Sequence, residues 1–103
     1  MSHDHHNRVG LELARRIADG LPSHPEWIDR ARRTLDRWRS TLGETPAHRD
    51  WDAILNQDVA TVIAALLDES EAGHQRRQNS PFAGIVPPRE VWAIKREIRR
   101  ATG

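Results

Sequence analysis

Residues 23–43, SHPEWIDRARRTLDRWRSTLG, decide the fold class of this 103-residue chain. Trp27, Ile28, Ala31, Leu35, Trp38 and Leu42 recur largely at steps of three and four, the spacing of one helix face. Such a seam packs on another helix at a shallow angle. Ser23 followed by Glu26 has the form of a capping box, with Pro25 in the first turn, where a missing N–H costs nothing. Gly43 is expected to end the helix. Its outer face carries Arg30, Arg32, Arg33, Arg37 and Arg39 among Asp29 and Asp36. The pairs Glu26–Arg30, Asp29–Arg33 and Arg32–Asp36 stand four apart and would balance much of that charge. The face therefore reads as solvated, with a nucleic-acid stripe through Arg32, Arg33 and Arg37 as the alternative.

Upstream, Leu13, Ala14, Ile17, Ala18 and Leu21 form a helical stripe over residues 8–19. Gly20 is expected as its C-terminal cap, and Pro22 prevents resumption. Residues 1–7, MSHDHHN, read as a disordered tail, and 8–103 as one helical domain. His3, His5 and His6 match no structural zinc spacing.

Downstream, Thr45-Pro46 opens a third helix with Thr45 as N-cap, burying Trp51, Ile54 and Leu55. Asp58 caps a fourth, whose Val59, Val62, Ile63, Leu66 and Leu67 make it the most apolar segment. The second and fourth helices are expected as the spine. This pair of short helices invites a helix-turn-helix reading, but Ala60, Thr61, Ala64, Ala65 and Asp68 cannot read bases. Residues 68–79, DESEAGHQRRQN, form a polar fifth helix capped by Asp68 or Ser70. Ala72 is its only apolar side chain, so its support must come from elsewhere.

SPFAGIVPPREVW, residues 80–92, cannot be helical throughout, because Pro81, Gly84, Pro87 and Pro88 interrupt it. Phe82, Ala83, Ile85 and Val86 nonetheless make it apolar. Such a loop either seals the core or docks on a partner. Pro88 starts the last helix, with Val91, Trp92, the Lys95 stem and Ile98 turned inward. Trp92 stands beside Arg89, and the alternative is that loop and Trp92 form one exposed anchor.

Composition narrows the functions. Leu, Ile, Val and Phe number 21, near the floor for a self-sufficient fold. The longest wholly apolar run, residues 62–67, is too short to span a membrane. With no Cys, disulfides and thiolate chemistry are excluded. Residues 1–20 lack a signal-peptide h-region, and the expectation is a cytoplasmic bacterial protein. The cations are fifteen Arg and one Lys. Residues 45–74 set one Arg against six acids, a net of −5; residues 75–103 set seven cations against two acids, a net of +5. These regions either face each other in the fold or present opposite patches to a partner. Arg96 and Arg100 of the last helix complete the candidate nucleic-acid contacts.

Catalytic patterns are thin. There is no G-x-S-x-G, P-loop, H-E-x-x-H or EF-hand loop. His48 and Asp52, four apart on the third helix, read as surface electrostatics. No enzyme, cofactor or metal is expected.

Residues 68–92, DESEAGHQRRQNSPFAGIVPPREVW, resemble the C-terminal motif of a group of small bacterial all-helical proteins. Those read as an acidic stretch, a Gln/Arg-rich turn, S-P-F-A-G-hydrophobic, then P-R-E-x-W. The matching positions are Ser80, Pro81, Phe82, Ala83, Gly84, Arg89 and Trp92, and the likeness covers roughly residues 9–98. It carries no biochemical activity with it. Their neighbourhood to toxin-like genes implies an antitoxin.

The expected molecule is all-α, a compact bundle of five to six helices with a Pro/Gly-punctuated apolar loop before the last. Its expected function is neutralising a protein partner, a toxin, through Pro81, Phe82, Arg89 and Trp92. Phe82 and Trp92 would enter apolar pockets while Arg89 pairs with a carboxylate. The alternatives are a nucleic-acid-binding regulator and a self-associating dimer.

Overall fold

A computed structural model describes residues 2–102, with side chains for residues 5–101. Six helices follow one another: α1 Ser2–Gly20, α2 Glu26–Leu42, α3 Pro46–Leu55, α4 Val59–Leu66, α5 Glu71–Gln78 and α6 Pro88–Thr102. The all-α bundle is as the periodicity predicts, and its principal extents are 39 × 29 × 24 Å. Among the described residues, no helix is long and apolar enough to cross a membrane.

The spine differs from expectation. α2 and α4 do not pack closely on each other; α1 takes α4, α5 and α6, and α3 takes α2, α4 and α5. The reason is surface. α2 offers one narrow seam between arginines, and α4 has only eight residues. α1 also starts at Ser2, earlier than the tail reading of residues 1–7 allowed. Stepping back by four from Ile17 and Leu13 reaches Val9, which is buried, and then His5, which is half-buried. Met1 and the His3 side chain lie outside the described residues.

Three caps form as read. Thr45 Oγ1 accepts the His48 N–H, Asp58 Oδ1 the Thr61 N–H and Ser70 Oγ the Gly73 N–H. The capping box on α2 does not form. Pro25, already helical at φ −61° and ψ −19°, takes the N-cap position, and Glu26 turns to the His24 ring at 3.1 Å. A tight turn sets this register, with the Ser23 and His24 amides both donating to the Gly20 carbonyl. Gly20 is not a left-handed cap either, since among the described residues only Gly43 and Gly84 have positive φ. A Cβ on Gly20 would sit 2.4 Å from the Trp27 ring, so the glycine admits the indole.

Hydrogen bonds from Thr61 to Asp58, and from the Ser70 backbone to Asp68, hold both carboxyls below the ordinary aspartate value of 3.8. A lowered folded-state pKa adds stability above that value, which is lost as pH falls through the folded one. Thermal melts at pH 6 and pH 3 should show a lower midpoint in acid. Asp58→Asn should show a smaller acid-induced drop than the parent chain.

The core gathers Ala14, Ile17, Ala18 and Leu21 of α1 and its end, Ala31 and Leu35 of α2, Trp51 and Leu55 of α3, Val62 and Leu66 of α4, and Phe82. Phe82 is 0% exposed, and its ring meets Trp51 edge-on at 6.0 Å. The apolar loop therefore seals the bundle, and Pro81 and Phe82 cannot be the exposed anchors proposed from sequence. Arg30 helps to hold the loop by donating to the Gly84 carbonyl at 3.2 Å, where Gly84 has φ +90°.

The polar helix α5 draws its support from arginines. Arg77 is 8% exposed and donates to the carbonyls of Leu66 and Asp68. Arg76 bonds Asp50 at 2.9 Å and Asp68 at 3.4 Å. Gly73 is buried where a Cβ would meet the Asp68 carbonyl oxygen at 2.2 Å, so only glycine lets α5 fold back so closely.

Candidate functional site

α6 is amphipathic, and among the helices it packs closely on α1 alone. Its inward side is Ile94, 3% exposed, with Val91 and Ile98 half-buried. An ion pair from Arg16 to Glu90 at 3.3 Å adds a second tie to α1. Trp92, placed inward by the sequence reading, is instead 62% exposed. With Ile94 rather than Lys95 centred on α1, the seam turns Trp92 outward.

Helical spacing puts Arg89, Trp92 and Arg96 on one face, with Arg100 one turn further. Arg89, Arg96 and Arg100 are exposed. The Lys95 ammonium stands 5.4 Å from the centre of the Trp92 ring, a cation–π distance. The face thus combines one large aromatic surface with several cations. Of the four residues read as partner-binding, Arg89 and Trp92 are brought together on it, while Pro81 and Phe82 are sealed away.

The five candidate nucleic-acid contacts are not one patch. Arg96 and Arg100 lie on α6, and Arg32, Arg33 and Arg37 on α2, which does not pack on it. Arg32 is also occupied, donating to the Leu55 carbonyl at 2.5 Å. Of the arginines expected in intrahelical pairs on α2, Arg30 reaches the Gly84 carbonyl and Arg32 the Leu55 carbonyl. Arg39 bonds Glu44 and lies 3.4 Å from Asp52.

The acidic middle and basic end meet only in part: Arg76 of the end bonds Asp50 and Asp68 of the middle, whereas α6, which carries the exposed cations of the end, packs closely on none of α3, α4 and α5. Asp52 is taken by Arg39. His48 is not the surface partner of Asp52. It is buried, donates from Nδ1 to the Gly43 carbonyl at 3.0 Å, and lies 6.2 Å from the Trp38 ring. That bond serves the α2–α3 turn, a role outside the helix that carries His48.

Against protein-family models, characterised proteins and solved structures, the chain finds no match.

Proposed function

We propose that this chain is a protein-binding module that neutralises a bacterial toxin as its antitoxin-like partner, docking through the outer face of α6. Supporting this reading is the 62% exposure of Trp92 beside Arg89, on a helix whose close helical neighbour is α1. Trp and Arg dominate the energetic centres of protein interfaces. Trp92 enters an apolar pocket on the partner while Arg89 pairs with a carboxylate at its rim. The chain works by occupancy and carries out no reaction. Its surrounding cations favour a partner with an acidic rim.

Growth rescue tests this directly. Co-expressed with the product of its neighbouring gene, the chain should restore growth to cells which that product arrests. Trp92→Ala, folded as judged by an unchanged melting curve, should abolish rescue. Equal rescue by Trp92→Ala contradicts the reading.

The second reading, a nucleic-acid-binding regulator, draws support from Arg96 and Arg100 beside an exposed aromatic ring. Salt separates the two. A complex resting on several phosphate contacts weakens by about 10³–10⁵ between 50 and 200 mM salt. A Trp-anchored protein complex changes far less.

A further inference from the structure

A second feature lies between α1 and α6, sharing Lys95 with the α6 surface. Two clefts meet along α1. The first, about 300 Å³, is walled by Leu13, Ile17, Leu66, Phe82, Val86 and Val91. The second, about 500 Å³, opens toward His74 and Lys95. Gly10, Leu13, Arg77, Gln78 and Val91 line both, so the two form one groove. Such volumes suit a small ligand.

The groove is apolar at one end and cationic at the other. Arg77 and Lys95 line it, and among the described residues no Asp or Glu does. Arg77 keeps its charge under any ordinary condition. Yet among the described residues no carboxylate lies within ion-pair distance of it, and its Nε–H is buried without a hydrogen-bond partner. Three of its other four N–H donors go to two carbonyls and to His74 Nδ1 at 2.6 Å. Burial works against the Arg77 charge, which Asp68 and Glu69 offset only in part, and an arriving carboxylate would favour that charge further.

Gly10 supplies the second observation. It sits in the middle of α1, where glycine is disfavoured relative to alanine. Its φ is not positive, and a Cβ there would meet nothing within 4 Å. Neither backbone conformation nor close packing requires glycine. Its absent side chain leaves the floor of the groove open.

We infer that this groove binds a small monocarboxylate with an apolar body, its tail along Leu13, Val86 and Val91 and its carboxylate at the Arg77 and Lys95 end. Tail burial supplies the attraction, and the charge selects the acid over a neutral analogue.

Octanoate and octanol are suitable probes, titrated calorimetrically into the full chain. Octanoate should bind saturably, and octanol at least tenfold more weakly. Gly10→Leu should keep the helical circular dichroism and melt no lower than the parent, yet bind octanoate at least tenfold more weakly. Equal binding of the two probes removes the role of the Arg77 and Lys95 end. Unchanged octanoate affinity in folded Gly10→Leu, or no saturable octanoate binding by the parent chain, overturns the site. The probe comparison on the parent chain decides the matter even if Gly10→Leu does not fold. None of these results depends on Trp92, so the site and the proposed antitoxin function fail separately.

Discussion

Phe82→Ala should destabilise the fold by about 3–5 kcal/mol, the cost of removing a fully buried aromatic side chain. A domain of this size is stable by only about 5–15 kcal/mol, so much of the margin would go. Phe82 is 0% exposed, joins the core cluster from a loop, and meets Trp51 edge-on. Nothing nearby can refill its volume easily, because Pro81 is also fully buried and Arg30 ties Gly84 to α2. Urea titration followed by circular dichroism would measure the loss. A change below about 1 kcal/mol would mean that the loop does not seal the bundle. In the same titration Trp92→Ala should stay within about 0.5 kcal/mol, as exposed positions do.

Trp51→Ala should be comparably damaging, about 3–5 kcal/mol, and for two separable reasons. The indole is fully buried, and its Nε1–H donates to the Arg76 carbonyl at 2.9 Å, tying α3 to the end of α5. Trp51→Phe keeps much of the apolar area and loses the indole bond, while the Arg76 carbonyl still accepts the Asn79 N–H, so the cost should be about 0.5–1.5 kcal/mol. Amide exchange should then show α5 losing protection first, because α5 has so little apolar surface of its own. If Trp51→Phe leaves α5 exchange unchanged, the indole bond is not what steadies that helix. Since Trp51 and Phe82 touch, their double variant should cost less than the two singles added.

These two side chains mark where local reading succeeds and where it stops. Trp51 is legible because its neighbours Ile54 and Leu55 share its helical face, and because Thr45-Pro46 announces the helix that carries it. Asp58 and Ser70 are legible for the same reason, since a cap acts within three residues of itself. Phe82 is not. It lies in a proline-broken segment without a period, and its partner Trp51 is 31 positions away. Sequence offered two fates for the loop, and only tertiary packing chooses. Gly20 misleads similarly, because a glycine after a helical stripe looks like a cap, whereas here it makes room for Trp27. Ser23 and Glu26 have capping-box spacing, but the Gly20 turn hands the cap position to Pro25.

The candidate surface was half legible. Arg89 and Trp92 stand three apart, so one helix face carries both whatever the surroundings. Which way that face points depends on where α1 meets α6, and Ile94 rather than Trp92 fills the contact. Arg77 was legible only as a charge suited to a helix C-terminus. Its burial follows from the close return of α5 at Gly73, which no periodicity announces.

The dissociation constant of the purified complex with the neighbouring gene's product, compared for the parent chain and Trp92→Ala, tests the α6 surface most directly. Trp92 acting as the anchor predicts a loss of about 2 kcal/mol or more, close to thirtyfold, with the melting temperature unchanged. An equal dissociation constant in a chain of equal stability would contradict it.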